Sequence, residues 1–215
     1  MSASVPKFKL SGNDISKSFT FGVNVFSGVN IELHNGELIG IVGENGAGKS
    51  TLVRLLCGVL TPSKGEIQFE FSGKSIDREY LHQYIGMVSP YLNLYEEFTA
   101  WEHLSLSASL RGIEFEEEFC ARSLEQFSLE KRKHDHIRTF SSGMKQRLKY
   151  VLAIQHKPAV LILDEPSANI DSVGVEAVLR LIERQIARGG GVIIATNEER
   201  ESSMCSRVVS LKKSW

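Results

Sequence analysis

The residues best suited to chemistry form a glycine-rich stretch with one lysine and two hydroxyl side chains, Gly43-Glu44-Asn45-Gly46-Ala47-Gly48-Lys49-Ser50-Thr51. It fits the pattern G-x-x-x-x-G-K-[ST], whose glycines let successive backbone N–H groups point inward and cradle phosphate oxygens. We expect Lys49 to reach the β- and γ-phosphates and the Ser50 hydroxyl to ligate Mg²⁺. The predicted ligand is a nucleoside triphosphate with magnesium. The residues predicted to hold it are Gly43, Asn45, Gly46, Ala47, Gly48, Lys49, Ser50 and Thr51.

Two carboxylates close an apolar run, Val160-Leu161-Ile162-Leu163-Asp164-Glu165-Pro166, which is typical of a buried parallel strand. Ligands of open α/β sheets gather at the carboxyl ends of strands, so Asp164 and Glu165 are expected beside the nucleotide. Asp164 can orient Mg²⁺ through its water shell, and Glu165 can polarise an attacking water.

A second helix start could also bind an anion. Phe140-Ser141-Ser142-Gly143-Met144-Lys145-Gln146-Arg147 opens a helix, and serines followed by glycine form an N-cap with exposed N–H donors. Ordinary helices begin in the same way, so this stretch alone is weak evidence of a site. Phe19 and Phe21 could each stack on a nucleobase, although an aromatic side chain in a strand is more often part of the core. We favour Phe19 of the two.

The elements that position these residues alternate between strands and helices, which predicts an α/β fold. The run Leu38–Val42 precedes the phosphate loop as a strand, and a helix begins near Lys49. Short β-prone pieces between residues 8 and 33, broken by glycines and asparagines, suggest a small antiparallel sheet. Glu66–Phe71 alternates as a half-buried strand, and Ile85–Val88 is a further short strand. Ser172–Arg188 has an amphipathic helical pattern.

From Thr99 to about Gln155 the pattern is helical, with Trp101, Leu104, Leu106 and Leu110 on one predicted face. The acidic run 114–118 is interpreted as a solvated helix start, with docking of a partner as the alternative. The mixed cluster 131–136 is interpreted as an exposed turn, because its opposite charges are adjacent and it lacks further metal ligands; a phosphate patch or metal site is the alternative.

The composition of the chain is typical of a globular protein of a reducing compartment. The chain has 215 residues and is 42% hydrophobic, which supports a buried core, and its net charge of −1 gives no global attraction to nucleic acid. Its three scattered cysteines indicate a reducing cytosol rather than a disulfide scaffold or zinc site. No apolar run approaches the roughly 18 residues of a membrane span, so any membrane component is expected to come from another subunit.

The order of these motifs resembles the nucleotide-binding subunits of ATP-binding cassette (ABC) proteins over nearly the whole chain. In that family the phosphate loop is followed by a helical insertion, a signature at a helix start, an acidic strand end, a loop carrying an aspartate, and a switch residue after the next strand. The matching positions are Gly43–Thr51, Ser141–Gln146, Asp164 with Glu165, Ala168–Asp171 and the stretch after Ala195. The resemblance implies a P-loop NTPase core (about 37–90 and 157–215), an N-terminal antiparallel β subdomain (about 1–36) and a helical subdomain (about 91–156).

The resemblance also implies a head-to-tail dimer with two ATP molecules between its subunits. Each phosphate loop then faces the other subunit's signature helix, where the N–H groups of Ser142 and Gly143 stabilise the γ-phosphate. Ser141 and Asp171 are expected at the same interface. The partners implied are a second copy or a homologous ATPase subunit, and a membrane permease docked around Ser89–Glu97. The subunit would be cytoplasmic, on the inner face of the membrane.

Three departures from the family pattern bear on catalysis. The signature begins Ser-Ser-Gly-Met-Lys rather than Leu-Ser-Gly-Gly-Gln. The glutamine that senses Mg²⁺ and the attacking water is replaced by Pro90, which offers neither a side-chain ligand nor an N–H; Ser89, Tyr91 or Asn93 could substitute. The switch histidine is replaced by Asn197, a neutral donor that cannot carry a proton.

The function predicted is that of an ATP-hydrolysing subunit of an ABC transporter, with Glu165, Lys49 and Asn197 as catalytic residues. Small single-domain subunits of this kind resemble those of export systems, including the haem-exporter type. The alternatives are a soluble ABC ATPase without a transport role, and a slow or non-hydrolysing ATP-binding interaction module.

Overall fold

The computed structural model of the chain describes residues 4–20 and 23–212. In these ranges the chain forms two β-sheets and a set of helices packed around them. The strands are β1 Phe8–Thr20, β2 Val23–His34, β3 Leu38–Val42, β4 Lys64–Phe71, β5 Lys74–Ser75, β6 Ile85–Val88, β7 Val160–Asp164, β8 Gly191–Thr196 and β9 Arg207–Ser210. The helices are α1 Lys49–Leu56, α2 Ala100–Arg111, α3 Glu117–Gln126, α4 Ser142–Ile154, α5 Ser172–Ala187 and α6 Glu199–Ser202, with short 3₁₀ turns at Arg78–Gln83, Glu130–Arg132 and Ile137–Thr139.

The antiparallel sheet has the strand order β2-β1-β4-β5. The short pieces expected between residues 8 and 33 are two long strands, because register shifts such as the one between Gly12 and Ile15 absorb the residues that looked like breaks. The division of the chain into 1–36 and 37–90 also needs correction. Lys64–Phe71 pairs antiparallel with β1. The segment after α1 therefore belongs to the antiparallel sheet and not to the P-loop core to which the sequence assigned it.

The second sheet is entirely parallel, with the order β6-β7-β8-β3-β9. Its register brings three strand ends to one level, because Asp164 pairs with Ala195 on β8 and Val42 pairs with Thr196. The segments that leave these strands are the phosphate loop after β3, Glu165 after β7 and Asn197 after β8. The carboxyl edge of this sheet therefore collects the residues predicted to act on a nucleotide, as it does in α/β folds generally.

The helical insertion is confirmed as α2, α3 and α4, but the predicted apolar face of α2 is wrong in part. Its buried residues are Ala100, His103, Leu104 and Ala108, whereas Leu110 near its end is 75% exposed. The acidic run is a helix start, with Glu117 and Glu118 in the first turn of α3. Residues 131–136 form an exposed turn with an ion pair between Arg132 and Asp135. The described residues contain no group of three or more His, Cys, Asp or Glu side chains that could hold a metal ion.

Two hydrophobic clusters make up the core. One lies between the antiparallel sheet, α1 and the parallel sheet, and the other joins the helical insertion and α5 to the opposite face of the parallel sheet. Because β7 and β8 are covered on both faces, every residue of both strands is buried. Among residues 4–20 and 23–212, no helix is long and apolar enough to cross a bilayer.

Candidate nucleotide-binding site

The phosphate loop wraps around the ammonium of Lys49. Lys49 opens α1 and is only 6% exposed, and its Nζ donates to the carbonyl oxygens of Gly43 at 2.7 Å and Glu44 at 3.3 Å. The loop thus encloses a buried positive charge at the N-terminus of a helix, where unpaired N–H groups also point outward. This arrangement is suited to binding a polyanion such as a triphosphate.

Gly48 is required at the turn into α1 for two reasons. Its φ is 96°, a left-handed conformation that L side chains rarely adopt. A Cβ atom at this position would also lie 2.6 Å from Cγ1 of Val25 and 2.8 Å from Cδ1 of Phe26. Val25 and Phe26 of β2 therefore pack directly against the phosphate loop, and this contact holds the loop in its conformation.

Asp164 ends β7 as a buried carboxylate, 1% exposed, in the position expected for a metal ligand. Its Oδ2 accepts a hydrogen bond from the Ser89 hydroxyl at 3.3 Å, while its Oδ1 has no hydrogen-bond partner within the described part of the chain. Burial raises the pKa of Asp164, and the hydroxyls of Ser50 and Ser89 act in the opposite direction. A buried oxygen acceptor without a partner, beside a serine hydroxyl, fits a hard cation such as Mg²⁺.

Glu165 occupies a strained turn directly after β7. Its φ is 50°, and such left-handed residues other than glycine cost about 1 kcal/mol or more. The turn is held because the Glu165 N–H donates to Ala195 at 2.8 Å and the Tyr150 hydroxyl donates to the Pro166 carbonyl at 2.6 Å. Glu165 is thereby held directly after Asp164 at the edge of the sheet.

Asn197 reaches the phosphate loop from the end of β8. Its side-chain amide donates to Oδ1 of Asn45 at 3.2 Å, a contact between residues 152 positions apart. Asn197 is exposed, so its amide lies at the surface of the site rather than in the core. The structure thus brings the predicted switch position to the predicted phosphate loop.

The signature segment starts α4 in a different environment. The Ser141 hydroxyl is the N-cap and accepts a hydrogen bond from the Met144 N–H at 3.2 Å, so the capping serine is Ser141. Ser142 and Gly143 are the first residues of the helix, and their N–H groups have no acceptor within it. A Cβ on Gly143 would lie 3.8 Å from the Asn169 carbonyl, which shows that this helix start faces the loop before α5.

Asp171 has partners within its own chain. Its Oδ1 accepts from the Gly174 N–H at 2.9 Å and caps α5, and its Oδ2 lies 3.7 Å from the Arg147 guanidinium on α4. Arg147 is 9% exposed and also donates to the Phe127 carbonyl at 2.9 Å. The sequence did not reveal this link between the signature helix and the aspartate loop. The interface role of Asp171 remains a prediction.

Phe19 lies near the end of β1 with 63% of its surface exposed, and the Lys17 ammonium lies 5.1 Å from its ring centroid. An exposed aromatic ring is available for stacking on a base. Stacking of Phe19 on the nucleobase stays a prediction. Phe21 lies outside the described residues.

Ser89 is the residue that sequence reasoning could not select. It is 5% exposed and bonded to Asp164, whereas Tyr91, the alternative with an aromatic hydroxyl, is 69% exposed. The alignment of β6 with β7 explains the contact, because Val88 pairs with Leu163 and the following residues therefore lie side by side.

The chain matches the family model described as ABC transporter over residues 26–168. It is 33% identical over 199 residues to the uncharacterized ABC transporter ATP-binding protein YthP of Bacillus subtilis (strain 168), covering 91% of this chain and 79% of that protein. It is 32% identical to the cytochrome c biogenesis ATP-binding export protein CcmA of Nitrosomonas europaea, covering 81% of this chain and 82% of that protein. Two other Bacillus subtilis relatives are longer, and the chain spans 60% and 63% of their lengths.

A solved structure of the ATP-binding subunit of an ABC transporter superposes on the chain with a TM-score of 0.83 and 31% sequence identity. The superposition covers 94% of this chain and 85% of that one. The likeness therefore extends over both sheets and the helical insertion.

Proposed function

Because the chain belongs to the ABC transporter family and is an ATP-binding, ATPase subunit of that family, we propose that it powers a transporter of the export type through ATP-driven head-to-tail dimerisation. One observation carries this proposal: the ends of β3, β7 and β8 meet at one edge of the parallel sheet. This meeting of the strand ends supports a shared role for Lys49, Asp164 and Asn197 at the phosphate loop.

Ser50 and Asp164 are the residues that would hold Mg²⁺. Their oxygen atoms suit a hard cation, and the unpartnered Oδ1 of Asp164 supplies a buried acceptor for it or for its water shell. When bound, Mg²⁺ neutralises charge on the phosphates.

The remaining residues orient the reactants. Lys49 binds the β- and γ-phosphates, and Glu165 positions and polarises the attacking water. Asn197 donates its amide hydrogen to the γ-phosphate without changing charge. Positioning supplies most of the catalysis in phosphoryl transfer, so these groups are sufficient for turnover in the absence of a histidine.

The start of α4 completes the site of a second subunit, either an identical copy or a homologous one. Ser141 fixes this helix start, and the free N–H groups of Ser142 and Gly143 with the helix dipole bind the γ-phosphate across the interface. Asp171, which holds the neighbouring loop, lies at the rim of the same interface.

The segment around Ser89–Glu97 is the proposed contact with a membrane permease. Tyr91 is 69% exposed, Tyr95 62% and Phe98 39%, and exposed aromatic side chains grouped in this way are typical of an interaction surface. The subunit would act at the cytoplasmic face of the membrane. The export role of CcmA supports, by likeness, the direction of transport.

A second candidate function is ATP binding with slow or no hydrolysis. Pro90 and the exposed Asn197 favour it, because the first offers no side-chain ligand and the second cannot take up a proton.

The experiment that separates the two is Mg²⁺-dependent ATP turnover by the purified chain, alone and with its membrane partner. We expect Glu165→Gln to lower turnover at least about 100-fold while ATP binding is retained, since loss of general-base assistance costs about 10²–10⁴-fold. Turnover of the unaltered chain no higher than that of Glu165→Gln would overturn the proposal for hydrolysis. Tight ATP binding in the same sample would then establish the second candidate.

A further inference from the structure

The junction after β6 connects three parts of the nucleotide site. It consists of Ser89, Pro90 and Tyr91, here called the junction tripeptide, and it lies where the parallel sheet passes into the helical insertion. Each of its three residues is held by a different element.

Ser89 connects the junction tripeptide to the acidic end of β7. Its hydroxyl donates to Oδ2 of Asp164 at 3.3 Å and accepts from the Tyr91 N–H at 3.4 Å, so it acts as donor and acceptor at once. Both Ser89 and Asp164 are buried. The bond occupies one carboxylate oxygen and leaves Oδ1, the atom without a partner among the described residues, as the oxygen available to a cation.

Lys149 connects the junction tripeptide to the signature helix α4. Its Nζ donates to the Pro90 carbonyl at 3.1 Å and lies 3.5 Å from the Ser89 carbonyl, and the residue is only 8% exposed. Burial lowers the pKa of Lys149, as expected for an ammonium removed from water. A buried charge is costly unless its protons are bonded, so these two carbonyls are where the ammonium must be satisfied.

Arg54 connects the junction tripeptide to α1, the helix that follows the phosphate loop. Its guanidinium lies 5.2 Å from the centroid of the Tyr91 ring, within range of a cation–π interaction. Pro90, between the two anchored neighbours, has a fixed φ and no N–H of its own. The tripeptide is therefore a rigid piece of backbone with contacts to α1, α4 and β7.

We propose that Ser89 is a positioning residue for Asp164 and that Lys149 fixes Ser89 in place, so that the signature helix and the metal-binding carboxylate are joined through the junction tripeptide. The inference rests on the proposed function, because it assigns how the same site holds its cation. Residues that orient metal ligands through a hydrogen bond commonly affect metal affinity by 10-fold or more. The Ser89 hydroxyl donates a hydrogen bond to Oδ2 of Asp164. This bond fixes the rotation of the carboxylate and therefore the direction in which Oδ1 points.

The test is equilibrium binding of a fluorescent ATP analogue to the full chain, titrated with Mg²⁺ and repeated in EDTA. We expect Ser89→Ala to raise the Mg²⁺ concentration for half-maximal enhancement of binding about tenfold. Lys149→Met should raise it in the same direction. The double variant should show no more than the larger single effect, because both changes break one chain of contacts.

Controls distinguish positioning from damage to the fold. Binding in EDTA should be unchanged in each variant, which shows an intact phosphate loop. Ser89→Thr keeps a hydroxyl and should restore most of the Mg²⁺ response. Ser123→Ala, which removes another buried hydroxyl that donates to the Phe119 carbonyl in α3, should leave the response unchanged.

An unaltered Mg²⁺ response in Ser89→Ala, or strictly additive effects in the double variant, would overturn the inference while leaving the proposed function intact. Failure of the unaltered chain to bind the analogue in either condition would overturn the proposed function, and the inference with it.

Discussion

The chain contains two helix starts suited to anions, and they are built differently. At α1 the chain folds back around Lys49, the cap is Gly48 without a side-chain hydrogen bond, and the acidic end of β7 lies close by. At α4 the cap is the Ser141 hydroxyl, Gly143 lies near the loop before α5, and Lys145 forms an ion pair with Glu96. The first start has the buried Lys49 ammonium and the acidic end of β7 beside it, whereas the second start presents the N–H groups of Ser142 and Gly143. This difference is what we expect if α4 serves a site that another subunit completes.

The largest expected effect comes from placing a negative charge at the second helix start. Gly143→Asp should abolish ATP-dependent dimerisation, because juxtaposed like charges cost several kcal/mol. The aspartate should not harm α4 itself, since acidic residues stabilise the first turn of a helix. Sedimentation velocity with ATP in the Glu165→Gln background measures the effect.

Gly143→Ala is the matched control, because a Cβ there meets only ordinary contact distances. It should dimerise nearly as well as the parent. Dimerisation of Gly143→Asp equal to that of Gly143→Ala would show that no phosphate approaches this helix start.

The next effect concerns the first helix start. Lys49→Ala should weaken ATP binding by a single chain about 10–150-fold, since hydrogen bonds to a charged group contribute about 1.5–3 kcal/mol. Titration with a fluorescent ATP analogue measures it, and the exposed Lys64→Ala serves as the control for loss of one positive charge. If Lys49→Ala and Lys64→Ala lost the same amount of ATP affinity, the loss would be explained by the change in net charge and not by a contact between Lys49 and the phosphates.

The shape of the phosphate loop can be tested by stability. Gly48→Ala should lower the free energy of unfolding by about 2–4 kcal/mol, from the left-handed φ and the clash with Val25 and Phe26. Gly36 shares a positive φ but has no heavy atom within 4 Å of an added Cβ, so Gly36→Ala should cost only about 1 kcal/mol. Urea unfolding of both variants measures the two losses of unfolding free energy. Equal losses would contradict the view that packing of β2 determines the shape of the phosphate loop.

The smallest effect is expected at the cap of α4. Ser141→Ala should cost about 1 kcal/mol of stability, the usual loss for an N-cap hydroxyl. ATP affinity of the single chain should not change, because the first helix start is untouched. A reduction in single-chain ATP affinity matching that of Lys49→Ala would contradict the separation of the two helix starts.

The parts of the site that depend on local pattern were predictable from sequence. The phosphate loop, the start of α1 at Lys49 and the strand that ends at Asp164 each follow from a contiguous run of residues. The helical insertion, the exposed turn at 131–136 and the strand Ile85–Val88 were found for the same reason.

The parts that depend on pairing between distant segments were not predictable. Ser89 reaches Asp164 through the alignment of β6 with β7, across 75 positions of the chain, and Arg147 reaches Asp171 only when α4 packs against the loop before α5. The membership of Lys64–Phe71 in the antiparallel sheet was missed because its alternating pattern fits either sheet. Leu110 was wrongly predicted to lie on the buried face of α2, because an apolar residue near the end of a helix can extend past the elements that the helix packs against.

The central claim is that the two helix starts of different subunits close on one ATP. Its most direct test is the mass of Glu165→Gln in solution by multi-angle light scattering, with and without ATP and Mg²⁺. For a pair of identical subunits, the claim predicts the 24.0 kDa chain without nucleotide and twice that mass with ATP. A mass of 24.0 kDa at an ATP concentration that saturates binding would contradict it.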